Sequence, residues 1–256
     1  MGLVGGSPLT GQSGGDNAER ELRDVRTTWE HLGATDPLWA VLTRPDKRGG
    51  RWDPAEFLAT GQTEIASALE VAERHGLSQR RAVALDFGCG AGRLTRALAA
   101  HYELAIGIDV SKPMIDTAMQ LNADVPNIRF ITNDAADLAV VDSASVDFLY
   151  SRIVLQHMPS ALGRAYIAEF IRVLGPTGLA MFQITHRRTN DPSWRRLARA
   201  LRDAVQSSRE MGMYGTPAED VRAVVRASGG HVVAELPDDH SATGWQSTMF
   251  LVKRLP

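Results

Sequence analysis

The chain has 256 residues, of which 44% are hydrophobic and 23% charged, enough for one well-cored domain with additions. Its formal net charge of −2 provides no global attraction to nucleic acid or to an anionic membrane, so neither partner is expected. The single cysteine excludes an intramolecular disulfide framework and indicates a cytoplasmic location, and no apolar run reaches the ~18–20 residues of a membrane span.

A polar tail and a helical cap are predicted to precede the first strand. Residues 1–16 are rich in Gly, Ser and polar residues, which predicts a disordered tail. Residues 17–78 form the cap, with a helical pattern from Ala18 to about Leu42, a loop, and one or two helices over Pro54–Leu77. Such a segment has no place inside a parallel sheet, and we expect it to lie over the ligand-binding end of that sheet.

Strands and helices then alternate within residues 79–256, the predicted main domain. Ser111 is a candidate N-cap, with Pro113 in the first turn of its helix, and Gly175–Gly178 is predicted to be a turn. The predicted strands are Ala82–Phe87, Leu104–Val110, Ile128–Thr132, Val146–Ser151 and Leu179–Thr185. The predicted helices between them include Pro113–Leu121 and Ser160–Leu174.

The regular alternation ends with an Arg-rich helical insertion at residues 186–215. Thr216 and Glu219 have the spacing of a capping box, with Pro217 at the first helical position, and this helix is expected to end near Gly229. Two β-rich runs follow, His231–Pro237 and Thr248–Leu255. The predicted fold class is therefore α/β: a doubly wound, Rossmann-like, seven-stranded, mostly parallel sheet with an antiparallel C-terminal strand pair, a helical N-terminal cap and an inserted helical lid.

A glycine-rich stretch follows the first strand directly. Gly88, Gly90 and Gly92 lie between an apolar strand and a helical pattern, where backbone can approach a ligand closely. The dinucleotide fingerprint G-x-G-x-x-G needs a small residue at its sixth position, which is Arg93 here, so the fingerprint fails. Asp86 would repel a pyrophosphate, whereas it suits a ligand that carries an ammonium and a sulfonium group.

The stretch D-F-G-C-G-A-G resembles motif I of the class I S-adenosylmethionine-dependent methyltransferases. The resemblance covers about Ala82 to Thr185, and five βα units with a closing strand pair match the outline of that family. It implies S-adenosyl-L-methionine as the cofactor and S-adenosyl-L-homocysteine as its product. The run L-Q-H-M-P and the stretch Trp52–Gly61 resemble small-molecule members of the family, some of which act on sugars or secondary metabolites.

Polar residues at four predicted strand ends are the candidates for cofactor contacts, because ligands of a doubly wound sheet lie at the carboxyl ends of its strands. Asp109 is predicted to accept hydrogen bonds from both ribose hydroxyls. Asp134 would accept one from an adenine amino group, while the Ala135 N–H donates to a ring nitrogen. Ser151 would hold the amino-acid end of the cofactor near Asp86. The resemblance assigns the same roles to Asp86, Gly88, Gly90, Asp109, Asp134 and Ala135.

Two apolar residues complete the predicted cofactor site: Met114 against the adenine and Leu155 against the methionine side. A simpler interpretation, in which Asp109 only caps the next helix and Asp134 is a turn residue, is the alternative. The predicted cofactor contacts are Asp86, Gly88, Cys89, Gly90, Asp109, Val110, Met114, Asn133, Asp134, Ala135, Ser151 and Leu155.

Two further residues invite a catalytic interpretation. His157 lies six residues beyond the fourth strand, where the methyl group would point, and a neutral imidazole there would take the proton of an acceptor hydroxyl. A histidine that only forms a hydrogen bond in its loop is the alternative. Cys89 is expected to be a small residue in a tight turn, because no base or metal partner for a nucleophile is evident.

Two motifs that are absent from the sequence narrow the range of acceptors and reactions. No (Asn/Asp)-Pro-Pro-aromatic motif follows the fourth strand, which disfavours nucleobase and glutamine acceptors. No acidic cluster at Ser151-Arg152 is available for Mg²⁺, so we predict a metal-independent reaction without metal ligands. In the insertion, Arg195, Arg199 and Arg202 form a stripe that is interpreted as solvated surface, with an anion patch for the substrate as the alternative.

The sequence thus predicts a cytoplasmic enzyme that transfers a methyl group directly to a small-molecule acceptor, by O-methylation of a sugar, glycolipid or secondary metabolite. A small-molecule N-methyltransferase is the alternative, followed by an RNA or protein methyltransferase or a catalytically silent partner. Asp86 and Arg93 argue against an NAD-dependent oxidoreductase. The cap tryptophans Trp29, Trp39 and Trp52 would wall an acceptor pocket or pack the lid onto the domain. Whether the chain forms a homo-oligomer stays open.

Overall fold

A seven-stranded sheet forms the centre of the fold, which a computed structural model describes over residues 13–76, 80–187, 211–238 and 245–255. In chain order the strands are β1 (Val83–Phe87), β2 (Leu104–Asp109), β3 (Ile128–Thr132), β4 (Val146–Ser151), β5 (Leu174–Arg187), β6 (Gly230–Asp238) and β7 (Trp245–Arg254). Their order in the sheet is β3-β2-β1-β4-β5-β7-β6. Because β1 to β5 are parallel and β7 is antiparallel to both neighbours, the predicted sheet is confirmed.

Helices cover both faces of this sheet. They are α1 (Ser13–Thr35), α2 (Pro37–Val41), α3 (Pro54–Arg74), α4 (Arg93–Ala99), α5 (Lys112–Leu121), α6 (Ser160–Val173) and α7 (Ala218–Ala227). Side chains alternate between the faces of a strand, so each face has its own core. Leu85 and Phe87 of β1 join a core with α1, α6 and α7, whereas Ala84 joins one with α3 and α4. Within the described ranges, no helix is both long and apolar enough to span a membrane.

The N-terminal helices lie against the main domain at two close contacts. α3 approaches α4 at Gly61, where an added Cβ would overlap the backbone carbonyl of Arg93. α1 approaches the start of α5, where the Ser111 hydroxyl donates a hydrogen bond to the Trp29 carbonyl at 3.0 Å. The same hydroxyl accepts from the Met114 N–H, so Ser111 is the N-cap of α5, as predicted. Both contacts place the cap over the carboxyl ends of the strands.

The predicted turn at Gly175–Gly178 lies within the bounds of β5, which begins at Leu174. Val146 pairs with Leu174 and Phe148 with Leu179, so the intervening residues are an irregularity inside the β4–β5 ladder. A Cβ on Gly178 would lie 2.5 Å from the Val146 carbonyl oxygen, which shows how closely the two backbones approach there. Glycine lets the chain bulge without leaving the sheet.

The predicted capping box of α7 is wrong. The Thr216 hydroxyl donates to Ser160 Oγ at 3.0 Å and so ties α7 to the start of α6. Pro217 occupies the N-cap position, and no side-chain hydrogen bond caps the helix. A local sequence pattern cannot reveal that a distant hydroxyl competes for the same side chain.

Two predicted boundaries differ at the ends of the cap and of β5. α1 begins at Ser13, inside the predicted tail of residues 1–16, and the helical pattern breaks at Asp36 before α2. β5 continues to Arg187, so the predicted insertion at 186–215 starts within a strand. Residues 188–210 lie outside the described ranges, and with them the arginine stripe of Arg195, Arg199 and Arg202.

Candidate functional site

The segment between β1 and α4 forms a tight glycine loop at the carboxyl end of the sheet. Gly88 and Gly90 have φ angles of +75° and +50°, a conformation that L-residues rarely adopt. A Cβ on Gly90 would lie 2.5 Å from Val41 Cγ2 of α2, and one on Gly88 would overlap the side chain of Val154. Both positions therefore need glycine for conformation and for space.

Two adjoining cavities open at this end of the sheet. The inner cavity lies beside the glycine loop, and its wall includes Val25, Trp29, Gly88, Gly90, Asp109, Val110, Asn133 and Tyr166. The outer cavity lies between α3 and strands β4 to β7, and its wall includes Trp52, Glu64, Ala68, Tyr150, Met181, Leu236, Asp238 and Met249. Both cavities are lined by Val41, Arg93, Arg152, Ile153 and His157. The cavities therefore share one wall.

The inner cavity brings together a large part of the predicted site. The predicted residues on its wall come from the ends of β1 and β2 and from the loops after β3 and β4. These segments meet at one edge of the sheet because the strands are parallel. The predicted residues on its wall are Gly88, Cys89, Gly90, Asp109, Val110, Asn133 and His157. Their roles toward a ligand stay predictions.

Asp109 fixes the glycine loop as well as facing the inner cavity. One carboxylate oxygen accepts the Gly90 N–H at 2.9 Å, and the other accepts the Ser111 N–H at 2.9 Å. Burial raises the pKa of Asp109, and the backbone N–H groups oppose that rise. A carboxylate offers about four lone-pair sites, so each oxygen keeps capacity for one more donor.

Asp86 lies beneath the glycine loop and does not line the inner or the outer cavity. Its carboxylate is almost fully buried and accepts a 2.6 Å hydrogen bond from Thr95 Oγ1 at the start of α4. Burial raises the pKa of Asp86 to about 7, while Thr95 and the charge of Arg93 oppose the rise. This places the carboxylate one layer below the surface that a ligand would touch.

Three other predicted residues support the site from within the core. Met114 is fully buried and packs against Gly33 of α1. An added Cβ on Gly33 would lie only 3.0 Å from Met114 Cγ. Ser151 is buried and donates a 3.0 Å hydrogen bond to the Phe87 carbonyl, so it joins β4 to the start of the loop. Leu155 is buried in the core between the sheet and α6. None of the three lines either described cavity.

Asp134 and Ala135 follow β3 and lie outside the inner cavity wall. Asp134 is exposed and pairs with Arg26 of α1 at 3.3 Å. The Ala135 carbonyl accepts hydrogen bonds from the Tyr166 hydroxyl at 2.7 Å and from the Asn133 side chain at 3.2 Å. Contacts to α1 and α6 thus hold this segment in place. Its contacts to an adenine stay a prediction.

His157 lies on the wall that the two cavities share. Its Nδ1 is 2.8 Å from the Gly212 carbonyl, which can only accept, so Nδ1 carries the proton. Nε2 then has the lone pair and accepts from the Gln156 amide at 3.0 Å. Trp29 packs edge-on against the ring, with centroids 5.2 Å apart. Burial lowers the pKa of His157, so the ring is neutral at pH 7.

Glu64 of α3 joins the cap to the wall that the cavities share. Its carboxylate pairs with Arg93 at 2.7 Å and with Arg152 at 3.5 Å, and it accepts the Tyr150 hydroxyl at 3.1 Å. Arg152 also pairs with Asp238 at the end of β6. One carboxylate therefore fixes two arginines that face both cavities.

Several residues on the inner cavity wall were not among the predicted cofactor contacts, although Trp29 was a candidate for the wall of an acceptor pocket. Trp29 and Val41 come from the cap, more than forty residues before the glycine loop, and no sequence spacing links them to it. Arg93 directly follows the last glycine, and that adjacency was the available signal for its place on the wall. Arg152 directly follows β4, at the strand end where ligand contacts were expected.

Cys89 lies in the loop as a buried, neutral thiol. Burial raises its pKa, and Sγ contacts the Gly90 carbonyl at 3.7 Å. A thiol held neutral in this way is a poor nucleophile. Across the ranges that the structure describes, no group of three or more His, Cys, Asp or Glu side chains is placed to hold a metal ion.

Comparisons with known proteins agree with this geometry. Residues 84–178 match the family model of the methyltransferase domain. A trans-aconitate 2-methyltransferase of Delftia acidovorans is 32% identical over 140 residues, 54% of this chain and 50% of that protein. A ubiquinone biosynthesis O-methyltransferase of Methylococcus capsulatus is 29% identical over 138 residues, 53% and 56% of the two chains. The matches span about half the length of these relatives.

A solved structure shows the same fold over nearly the whole chain. The magnesium protoporphyrin IX methyltransferase of Synechocystis PCC 6803, with S-adenosylhomocysteine bound, superposes with a TM-score of 0.61 at 19% identity. The superposition covers 90% of this chain and 98% of that one. The fold and the glycine loop define a Rossmann-like ligand-binding domain. More specifically, residues 84–178 match a methyltransferase domain, and the fold around them is that of the S-adenosylhomocysteine-bound methyltransferase named above.

Proposed function

We propose that this chain is a small-molecule O-methyltransferase that binds S-adenosyl-L-methionine in the inner cavity and its acceptor in the outer cavity. The observation that carries the proposal is the position of His157, whose imidazole lies on the wall shared by both cavities with Nε2 unprotonated. The relatives named above are a trans-aconitate methyltransferase and a ubiquinone biosynthesis O-methyltransferase, which supports a small acceptor.

The residues of the inner cavity fit this cofactor chemically. Asp109 keeps one acceptor site on each oxygen, which suits the two hydroxyls of a ribose. Trp29 and Val110 provide apolar surface for a flat base. Arg93 Nε is buried without a hydrogen-bond partner in the described part of the chain, so it is available to a carboxylate. When bound, the cofactor supplies a methyl group on a positively charged sulfur.

The protein's task is then to align the acceptor, exclude water and receive one proton. As the new bond from the acceptor oxygen to the methyl carbon forms, the carbon–sulfur bond breaks and the sulfur keeps its electron pair. The hydroxyl proton passes to His157 Nε2, after the acceptor displaces the Gln156 amide from that atom. The Gly212 carbonyl accepts from Nδ1 and stabilises the imidazolium that results.

Replacement of His157 by Gln tests this assignment. The variant should bind S-adenosylhomocysteine like wild type but lose about 10²–10⁴-fold in kcat, the usual contribution of a general base. In wild type, kcat should fall as pH drops through the pKa of His157, below 6.5, because the protonated ring cannot accept a proton. The variant should lack that limb, and His31→Gln, on the exposed surface of α1, is the control.

The alternatives give other results in the same assay. An N-methyltransferase acting on a free amine would retain kcat and its pH profile in His157→Gln. A silent partner would bind cofactor without turnover of any acceptor. The independence from metal and the cytoplasmic location stay predictions, and a requirement for Mg²⁺ that is lost in EDTA and restored by the metal would refute the first.

A further inference from the structure

The outer cavity has a wall of flexible apolar side chains at its sheet side. Met181 of β5 and Met249 of β7 face it from adjacent strands, and Met211 and Met213 line it from the segment before α7. Trp52 contributes an aromatic surface from the cap. Methionine is unbranched and polarisable, so such a wall adapts to apolar molecules of varied outline.

The charged residues of the same cavity already have ionic partners. Arg93 and Arg152 share Glu64, and Arg152 also pairs with Asp238. Arg44, at the rim, pairs with acidic residues of the cap. Among the described residues that line the cavity, these arginines are therefore already paired, and the Arg93 Nε donor that is left over is assigned above to the cofactor. A charged acceptor would have to break one of these pairs and bear its desolvation.

Polar side chains line the outer cavity along α3, at Thr60, Thr63 and Ser67, and also where it meets the inner cavity. Gln156 and His157 lie there, with hydrogen-bonding groups that suit a single hydroxyl. Resting on the methyl-transfer function above, we propose that the acceptor is an uncharged amphiphile, with a reactive hydroxyl at His157 and an apolar body against the methionine wall. This differs from a polycarboxylate such as trans-aconitate, after which one relative is named.

A homologous series of uncharged probes tests the proposal on the full chain. Calorimetry would measure the binding of 4-propyl-, 4-butyl-, 4-pentyl- and 4-hexylphenol, with and without saturating S-adenosylhomocysteine. Each added methylene should tighten binding about fourfold, the factor that ~0.8 kcal/mol of burial produces. A hexyl chain that ends in a carboxylate should bind at least about tenfold more weakly, and trans-aconitate should not bind.

Paired variants locate the apolar contact. The double change Met211→Gln and Met213→Gln alters two partly exposed wall residues, and Met119→Gln alters a methionine on the exposed surface of α5 as a control. The double variant should weaken 4-hexylphenol at least about tenfold and flatten the series, whereas the control should match wild type.

The proposal would be overturned if the affinity of wild type did not change along the phenol series. It would also be overturned if the carboxylate probe or trans-aconitate bound more tightly than 4-hexylphenol, or if the double variant and the Met119→Gln control bound 4-hexylphenol equally. Absence of S-adenosylhomocysteine binding would instead refute the proposed function, since the phenol series is also measured on the free protein.

Discussion

Breaking the ion pair between the cap and the glycine-loop helix should lower the stability of the fold, and Glu64→Gln measures that loss. The Glu64 carboxylate accepts from Arg93, Arg152 and the Tyr150 hydroxyl. The substitution keeps the shape of the side chain and one acceptor oxygen but removes its charge. Arg93, whose side chain is 4% exposed, then loses its ionic partner, while Arg152 keeps Asp238.

The magnitude follows from the burial of this pair. Removing one member of a buried pair costs about 3–5 kcal/mol, because the remaining charge is left without compensation in a poorly solvated place. The retained amide oxygen and the second partner of Arg152 put the expected loss near the lower end, about 3 kcal/mol. For a chain of this size that corresponds to a fall of about 6–12 °C in Tm.

Urea unfolding followed by circular dichroism measures this loss, with Glu70→Gln as the matched control. Glu70 lies on the same helix and pairs with Arg74, but both side chains are exposed, so its loss should cost no more than about 0.5 kcal/mol. A double variant with Arg93→Met should lose less than the sum of the two single changes. Equal, small losses for Glu64→Gln and Glu70→Gln would refute the argument.

Two more predictions concern the glycine loop and the acid beneath it. Gly90→Ala should lower stability by about 1–2 kcal/mol and weaken S-adenosylhomocysteine binding, because the new Cβ meets Val41. Gly49→Ala, also at positive φ but with open space, should lower stability only, and equal loss of binding in both would contradict the steric argument. As pH rises from about 4 to 7, Asp86→Asn should gain stability relative to wild type by up to about 1.4 kcal/mol per pH unit. The reason is that Asp86 of folded wild type keeps a proton in this range, whereas Asp86 of the unfolded chain releases it. Urea titrations at several pH values measure this, and a pH-independent difference would contradict it.

The sheet could be predicted from sequence because its strands are short apolar runs separated by clear helix signals. The predicted bounds of β3 and β4 match the structure, and β1 and β2 differ by one residue each. Where a glycine-rich irregularity stays within a strand, as before Leu179, local patterns cannot distinguish it from a turn. The pairing that decides the matter comes from β4, a distant segment.

The candidate site was predictable mainly in the part that the main domain supplies, and from the cap only the tryptophans were candidates for a pocket wall. Of these, Trp29 lines the inner cavity and Trp52 the outer one. Residues at strand ends were found because parallel topology brings them together, whatever the details of packing. Trp29 and Val41 reach the site through helices that could cross the sheet in many ways. Asp86 was expected to face the ligand, yet its hydrogen bond to Thr95 turns it beneath the loop, a choice that depends on α4.

The most direct test of the account is calorimetric titration of the full chain with S-adenosylhomocysteine and, separately, with NAD. We expect one S-adenosylhomocysteine per chain and no heat from NAD, with Asp109→Asn weakening the former at least about tenfold because one ribose contact is lost. Binding of NAD in place of S-adenosylhomocysteine, or cofactor affinity that is unchanged in Asp109→Asn, would contradict the assignment of the inner cavity.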